Sequence, residues 1–134
     1  MIYLDTCVII AFIDELDPMH ECACTLLGDL KDKRVANRLT LVELASVYSR
    51  AGIENSLALA IHSLERVNAE IVELDFDDVL MHALKLAPMV KLKTLNLLHV
   101  AACILMGAKT IATFDKEIKS RSDVLSTLGL KVIP

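Results

Sequence analysis

The sequence has no tryptophan, two tyrosines and three phenylalanines in 134 residues, so it lacks the ladder of rings on which bases of a single-stranded nucleic acid stack. Its four glycines form no phosphate-cradling loop, which argues against a nucleotide-binding enzyme of that type. With only three prolines besides, there is no linker, internal repeat or low-complexity tract, and one domain spanning residues 1–134 is expected. Positive charge is also scarce. Fourteen Lys and Arg face 18 Asp and Glu for a net charge of −4, which excludes coating of a polyanion by bulk electrostatics. Any such contact has to be local.

Long apolar runs are missing as well, despite a mean hydropathy of +0.52. The longest uncharged stretch, Thr94 to Ala108, is 15 residues and includes Asn96 and His99, short of the ~20 apolar residues that cross a bilayer. It reads as a buried helix, and no membrane association is expected. The opening MIYLDTCVIIAFIDE has no basic segment and carries Asp5 within its apolar stretch, unlike a secretory signal. A cytoplasmic location follows as the expectation. Cys7, Cys22, Cys24 and Cys103 show no C-x-x-C spacing and read as free thiols. His20, Cys22 and Cys24 are a poor zinc set, because helical residues two apart point to different sides. The apolar surplus implies a face covered by a second copy or another chain.

What is present is an alternation of short apolar strands and amphipathic helices. Ile2 to Leu4 and Cys7 to Phe12 form an apolar opening broken by Asp5-Thr6, a buried strand running into a turn. Ala23, Leu26, Leu27 and Leu30 mark a helix ending near Lys31, followed by a strand at Val35 to Asn37. Leu41, Leu44, Ala45 and Tyr48 predict a helix up to Ala51-Gly52, and Leu57, Ala60, Ile61 and Leu64 another. Ala69 to Leu74 is a third strand. Phe76, Val79, Leu80 and Ala83 predict a helix stopping before Pro88, and Thr94 starts the most apolar helix, ended by Gly107. Lys109 to Phe114, a short helix from Asp115 to about Ser120, and a strand from Leu130 to Ile133 complete the chain. The pattern predicts an α/β domain with a mainly parallel sheet.

In such a sheet the helices that follow strands begin at the carboxyl edge, where ligands bind beside a switch in strand order. Asp5, Glu43 and Asp115 all fall on that edge. Asn96 reaches it if the loop from Pro88 to Lys93, extending to roughly 20 Å, returns the chain along the preceding helix. Each has a local alternative. Thr40-Leu-Val-Glu43 matches a capping box, Asp115 suits an N-cap, and Asn96 with Thr94 suits the first amides of its helix. Asp5 is harder to dismiss, because a carboxylate within an apolar strand is costly to bury unless it is paired, hydrogen-bonded or metal-bound. Several carboxylates converging on one edge repel one another unless cations hold them.

Taken together, MIYLDTCVIIAF, LTLVELASVYSR and LKTLNLLHVAACILMGAKTIATFDKE resemble the PIN domain family over essentially the whole chain, above all its VapC-type toxin ribonucleases and their archaeal relatives. The resemblance implies a three-layer α/β/α sandwich and an endoribonuclease dependent on Mg2+ or Mn2+. It aligns Asp5, Glu43 and Asp115 with the first, second and fourth family acids, as catalytic residues and metal ligands. Asn96 stands where the third acid is expected, among the metal ligands but without the charge. At an effective dielectric near 20, a unit charge about 4 Å away is worth roughly 4 kcal/mol before desolvation, so weaker metal binding is expected.

Thr6 and Thr113 are expected to hydrogen-bond the carboxylates, with ordinary turn hydroxyls as the alternative. Lys91, Lys93 and Lys116 lie beside Asn96 and Asp115 as candidate RNA-phosphate guides; Arg34 and Arg38 flank the second strand with the same ambiguity. His99 shares a helix face with Asn96, either packed in the core or orienting a ligand. The partners implied are RNA, a small antitoxin protein if the toxin resemblance holds, and further copies of the chain in a homodimer or higher oligomer. The alternative is a catalytically weakened or inactive PIN-like domain that binds RNA or protein. A phosphoryl-transfer domain with Asp5 as nucleophile fits less well, because no second aspartate follows two residues on.

Overall fold

A computed structural model describes residues 1–134. Five short strands alternate with eight helices: β1 (Ile2–Leu4), α1 (Thr6–Ile13), α2 (His20–Asp29), β2 (Arg34–Ala36), α3 (Arg38–Arg50), α4 (Ser56–Arg66), β3 (Ala69–Ile71), α5 (Phe76–Val90), α6 (Thr94–Leu105), β4 (Thr110–Ala112), α7 (Lys116–Ser120), α8 (Ser122–Thr127) and β5 (Lys131–Ile133). The sheet order is β3-β2-β1-β4-β5, and all neighbours pair in parallel. The chain winds from β1 to β2 and β3 on one side, then crosses to β4 and β5 on the other. The topological switch therefore lies between β1 and β4, paired with Tyr3 opposite Ile111 and Leu4 opposite Ala112.

Alternation along the strands divides the core in two. Tyr3, Val35 and Ile111 pack with Val79, Leu86 and Val90 of α5, Val100 to Cys103 of α6 and Leu125 of α8. Ile2, Leu4, Ala36 and Ala112 face the other way, onto Val8, Ile9, Leu27, Leu44, Tyr48 and Leu64. Because a strand shows successive side chains to opposite faces, three-residue strands suffice to seed both layers. The result is the expected three-layer α/β/α sandwich with a parallel sheet.

Several local expectations are corrected. Cys7 to Phe12 is not part of a strand and turn but lies in helix α1, none of whose residues is exposed, so that it shows no polar face. Helix α5 does not stop before Pro88 but runs on to Val90. Pro88 lies on the exposed face, and Leu84, whose carbonyl loses its N–H partner to the proline, is 69% exposed, while Val90 is buried, so the helix is tolerated on its solvent side and held on its core side. The connection to α6 is accordingly three residues, Lys91 to Lys93, not an extended return loop. The helix axes turn by 113° there, and the N–H of Lys93 donates to Glu117 beside the start of α7, at 3.0 Å. Asn96 thus reaches the carboxyl edge because α5 itself ends there. The segment from Ser122 to Thr127, unassigned from sequence, is helix α8. No single helix is long and apolar enough to cross a membrane.

Candidate metal centre

Strand β1 ends by delivering Asp5 to the carboxyl edge at the switch point. Its N–H joins the ladder to Ala112 O at 3.0 Å, and its side chain caps α1 by accepting from the N–H of Thr6 at 2.8 Å. Asp5 is only 4% exposed, and no Lys, Arg or His is paired with it. Its other donors are neutral: the Thr113 hydroxyl at 2.6 Å on Oδ2 and the Cys7 thiol at 3.4 Å. A buried carboxylate with no cationic partner is the costly arrangement anticipated from the sequence. Its charge is felt nearby. Burial first, and Asp5 second, pushes both the Cys7 and Cys103 thiols up to about 12. Burial also holds the Tyr3 phenol well above its usual range.

Two threonines link Asp5 to the other acids. Thr6, bound to Asp5 through its N–H, donates its hydroxyl to Glu43 Oε2 at 3.1 Å. Thr113 accepts from the N–H of Asp115 at 2.9 Å while donating to Asp5. Both are fully buried and bridge the acids as expected, rather than standing as free turn hydroxyls. Glu43 does not close a capping box: Asn37 caps α3 by accepting from the N–H of Thr40 at 3.2 Å. Glu43 is instead bound by His99 Nε2 at 2.6 Å. Asp115 does cap α7, its Oδ1 accepting from the N–H groups of Glu117 and Ile118.

Asn96 is at this edge, but its amide nitrogen is turned toward the acids. Nδ2 donates to Asp115 Oδ1 at 3.3 Å and to Glu117 Oε1 at 2.9 Å. It holds two carboxylates together by neutral donation, which an aspartate cannot do. Glu117 is therefore an acid of this edge that sequence reading missed. The signal was its place two residues after Asp115, in the first turn of α7, where it also covers the otherwise uncapped start of α6 through Lys93.

The basic residues divide. Lys91, Lys93 and Lys116 are exposed and none is in an ion pair; Lys93 and Lys116 cap or open the helices that carry Asn96 and follow Asp115. Arg34 is at the opposite end of its strand and satisfies the carbonyls of Val67, Leu27 and Leu30, a structural role. Arg38 pairs with Glu73 at 3.0 Å on the surface.

No group of three or more His, Cys, Asp or Glu side chains is drawn closely enough to enclose a metal. That excludes a closed structural site, including one at His20, where Nδ1 meets Ala11 O and Nε2 lies 3.5 Å from Cys24 Sγ. A hard divalent cation of the Mg2+ or Mn2+ kind, which keeps several waters and takes one or two carboxylates, asks for fewer protein ligands than such an enclosure. Both oxygens of Asp5 accept from protein donors, whereas Glu43 and Asp115 have one each fixed, and neither Glu43 Oε1 nor Asp115 Oδ2 has a hydrogen-bond partner of its own.

These features define a parallel α/β/α domain with a sparse acidic site astride its topological switch. The family model of the PIN domain matches residues 2–123, and the chain belongs to that family. Among solved structures, it is similar to the sarcin-ricin loop cleaving toxin VapC20 of Mycobacterium tuberculosis, at TM-score 0.73 and 15% identity over 90% of this chain and 94% of that one. It is also similar to FitAcB of Neisseria gonorrhoeae, at 0.69 and 16% over 100% and 97%. A third is VapBC2 of Rickettsia felis, bound to a DNA fragment from its promoter, at 0.65 and 18% over 98% of both chains. At these identities the likeness is one of fold. No curated protein matches the sequence.

Proposed function

We propose that this chain is a divalent-metal-dependent endoribonuclease, acting as the toxin of a toxin-antitoxin pair. The observation that carries the reading is the buried, cation-free carboxylate of Asp5 at the switch point, joined through single threonines to Glu43 on one side and Asp115 on the other. Membership of the PIN family supports it, as do structural neighbours that are toxins or toxin-antitoxin complexes.

Asp5, with Asp115, would hold the cation, with Glu43 and Asn96 at the margin of the site. When bound, Mg2+ or Mn2+ supplies charge neutralisation at a phosphate oxygen and lowers the pKa of a water. Glu43, fixed through Oε2, offers Oε1 to orient an attacking water and accept its proton. Lys91, Lys93 and Lys116 would guide the phosphates of the RNA. Leu80, Met81 and Leu84 leave a partly exposed apolar face on α5, which supports association with a second copy; a small antitoxin covering the acidic edge is the other partner proposed.

Asn96 favours a second reading, a domain that keeps the fold and binds without cutting, because it brings no charge of its own to a cation and its amide already occupies an oxygen of both Asp115 and Glu117 by donation. One experiment separates them: a defined RNA panel incubated with and without Mg2+ or Mn2+, native chain against Asp5→Asn. Metal-dependent cleavage abolished by the substitution is the expected result. RNA binding without cleavage in either metal would establish the second reading.

A further inference from the structure

Glu43 differs from Asp5 and Asp115 in being carried on a longer side chain, one with more rotatable bonds. The fold gives it a buried tether. His99 Nε2 lies 2.6 Å from Glu43 Oε2, and His99 Nδ1 lies 2.6 Å from the Tyr3 hydroxyl, itself 3.1 Å from Thr40 Oγ1. Tyr3 and Thr40 are fully buried and His99 is 1% exposed. The four residues come from β1, α3 and α6, so the chain of bonds ties the central strand to helices on both sides.

The distances admit one aligned direction for a neutral imidazole beside a carboxylate. A carboxylate that only accepts requires the hydrogen on Nε2; the other nitrogen of a neutral ring then accepts, with Tyr3 as its donor. The Tyr3 oxygen in turn accepts from Thr40. Every link has one hydrogen and one acceptor, and all point toward Glu43. Such aligned dipoles reinforce one another in a low-dielectric interior.

We infer that Tyr3 and His99 are positioning residues that fix Glu43 Oε2 and so present Oε1 to the reacting water or cation. This rests on the nuclease reading above and extends it to two side chains that touch neither the cation nor RNA. A fixed carboxylate acts without reorganising during the reaction, and partners of this kind are worth about 10- to 100-fold in metal affinity or activity.

The test uses the full chain, Mn2+ alone for binding by calorimetry, and one cleaved RNA for kinetics. Tyr3→Phe, which conserves volume, and His99→Leu are expected to lower kcat by about 10- to 100-fold, with KM for RNA unchanged, and to weaken Mn2+ binding. His99→Gln, which keeps a donor toward Glu43, recovers most of the loss. Folded variants with native kcat and native Mn2+ affinity would overturn the inference, as would a loss of stability alone. A second readout is independent of activity. In 15N-histidine spectra, His99 is expected as the Nε2–H tautomer, with Nε2 shifting in Glu43→Gln and Nδ1 shifting in Tyr3→Phe. The opposite tautomer, or no shift, overturns the relay. If the native chain neither cleaves RNA nor binds Mn2+, the nuclease reading fails, and these spectra still decide whether Glu43 is tethered.

Discussion

The hydroxyl of Thr113 donates to Asp5 Oδ2 at 2.6 Å across the β4–β1 boundary, and Thr113 Oγ1 itself accepts from the N–H of Asp115. One small side chain thus supports an acid on each side of the topological switch. Thr113→Val keeps the shape and removes both bonds. A hydrogen bond to a charged group contributes about 1.5–3 kcal/mol, and the orphaned N–H puts the expected loss near the top of that range. Urea unfolding should show it, with Thr113→Ser close to native. A midpoint unchanged in Thr113→Val would mean that Asp5 draws no support from this bond.

Asn96 and Glu117 carry the second prediction. Asn96→Asp replaces two donations to carboxylates with two repulsions. Without divalent ions the variant should be less stable by roughly 2 kcal/mol, below the ~4 kcal/mol of a unit pair at 4 Å in a dielectric of 20 because the site is half open to water. Mn2+ should reverse this, and raise the melting temperature of the variant by more than that of the native chain. Melting curves in EDTA and in Mn2+ check it. Equal metal-induced shifts in the two proteins would place residue 96 outside the site.

Much of the architecture was legible because its helices are half-exposed. Helix α4 shows Ala60 and Leu64 to the core and Glu65 and Arg66 to water, so its period stands out. Helix α1 was not legible for the opposite reason. Seven of its eight residues are Cys, Val, Ile, Ala or Phe, and a segment apolar on all sides has no period to read. Residue type and edge placement anticipated that Asp5, Glu43, Asp115, Thr6 and Thr113 meet at one edge, where hydrogen bonds join them. They did not find Glu117, whose partners Lys93 and Asn96 are more than twenty residues away in sequence for both bonds, nor the link from Tyr3 to His99, which depends on how α6 crosses the central strand. Sequence spacing reports neighbours along one element; packing between elements decides the rest.

The thiols give a prediction with a sign. Burial, reinforced by Asp5, keeps Cys103 protonated to about 12 against its ordinary 9, and Cys7 behaves alike. In the unfolded chain both lose their protons above pH 9, so the folded state binds more protons between pH 9 and 12. Stability is therefore undiminished by these groups below pH 9 and falls above it, by about 1.4 kcal/mol per pH unit for each. Urea midpoints at pH 7, 9 and 10.5 should trace the decline, and Cys103→Ala should shallow it by one proton. In the native state at pH 8, a disulfide reagent should modify the exposed Cys22 and Cys24, react far more slowly with the half-buried Cys7, whose thiol is held protonated, and leave the buried Cys103 untouched. Four fast-reacting thiols would contradict the burial assigned to the pair.

Lys91 and Lys93, two residues apart, are separable by their backbones. Lys91 ends α5 in the left-handed region at φ 51° and ψ 45°, a conformation that costs an L-residue about 1–2 kcal/mol and glycine little. Lys91→Gly should therefore raise stability by about 0.5–1 kcal/mol, the gain being reduced by the entropy glycine adds to the unfolded chain. Lys93 has ordinary extended backbone, and its N–H bond to Glu117 survives any side-chain change, so Lys93→Gln should leave stability unaltered. Each substitution removes one ammonium from the edge beside Asn96. If both guide phosphates, each should lower the slope of log affinity for single-stranded RNA against log salt by about 0.7, with Asp5→Asn used throughout to prevent cleavage. A slope unchanged by either variant would assign these lysines to the solvated surface, and the stability gain of Lys91→Gly would remain as the measure of what holding lysine in that turn costs the fold.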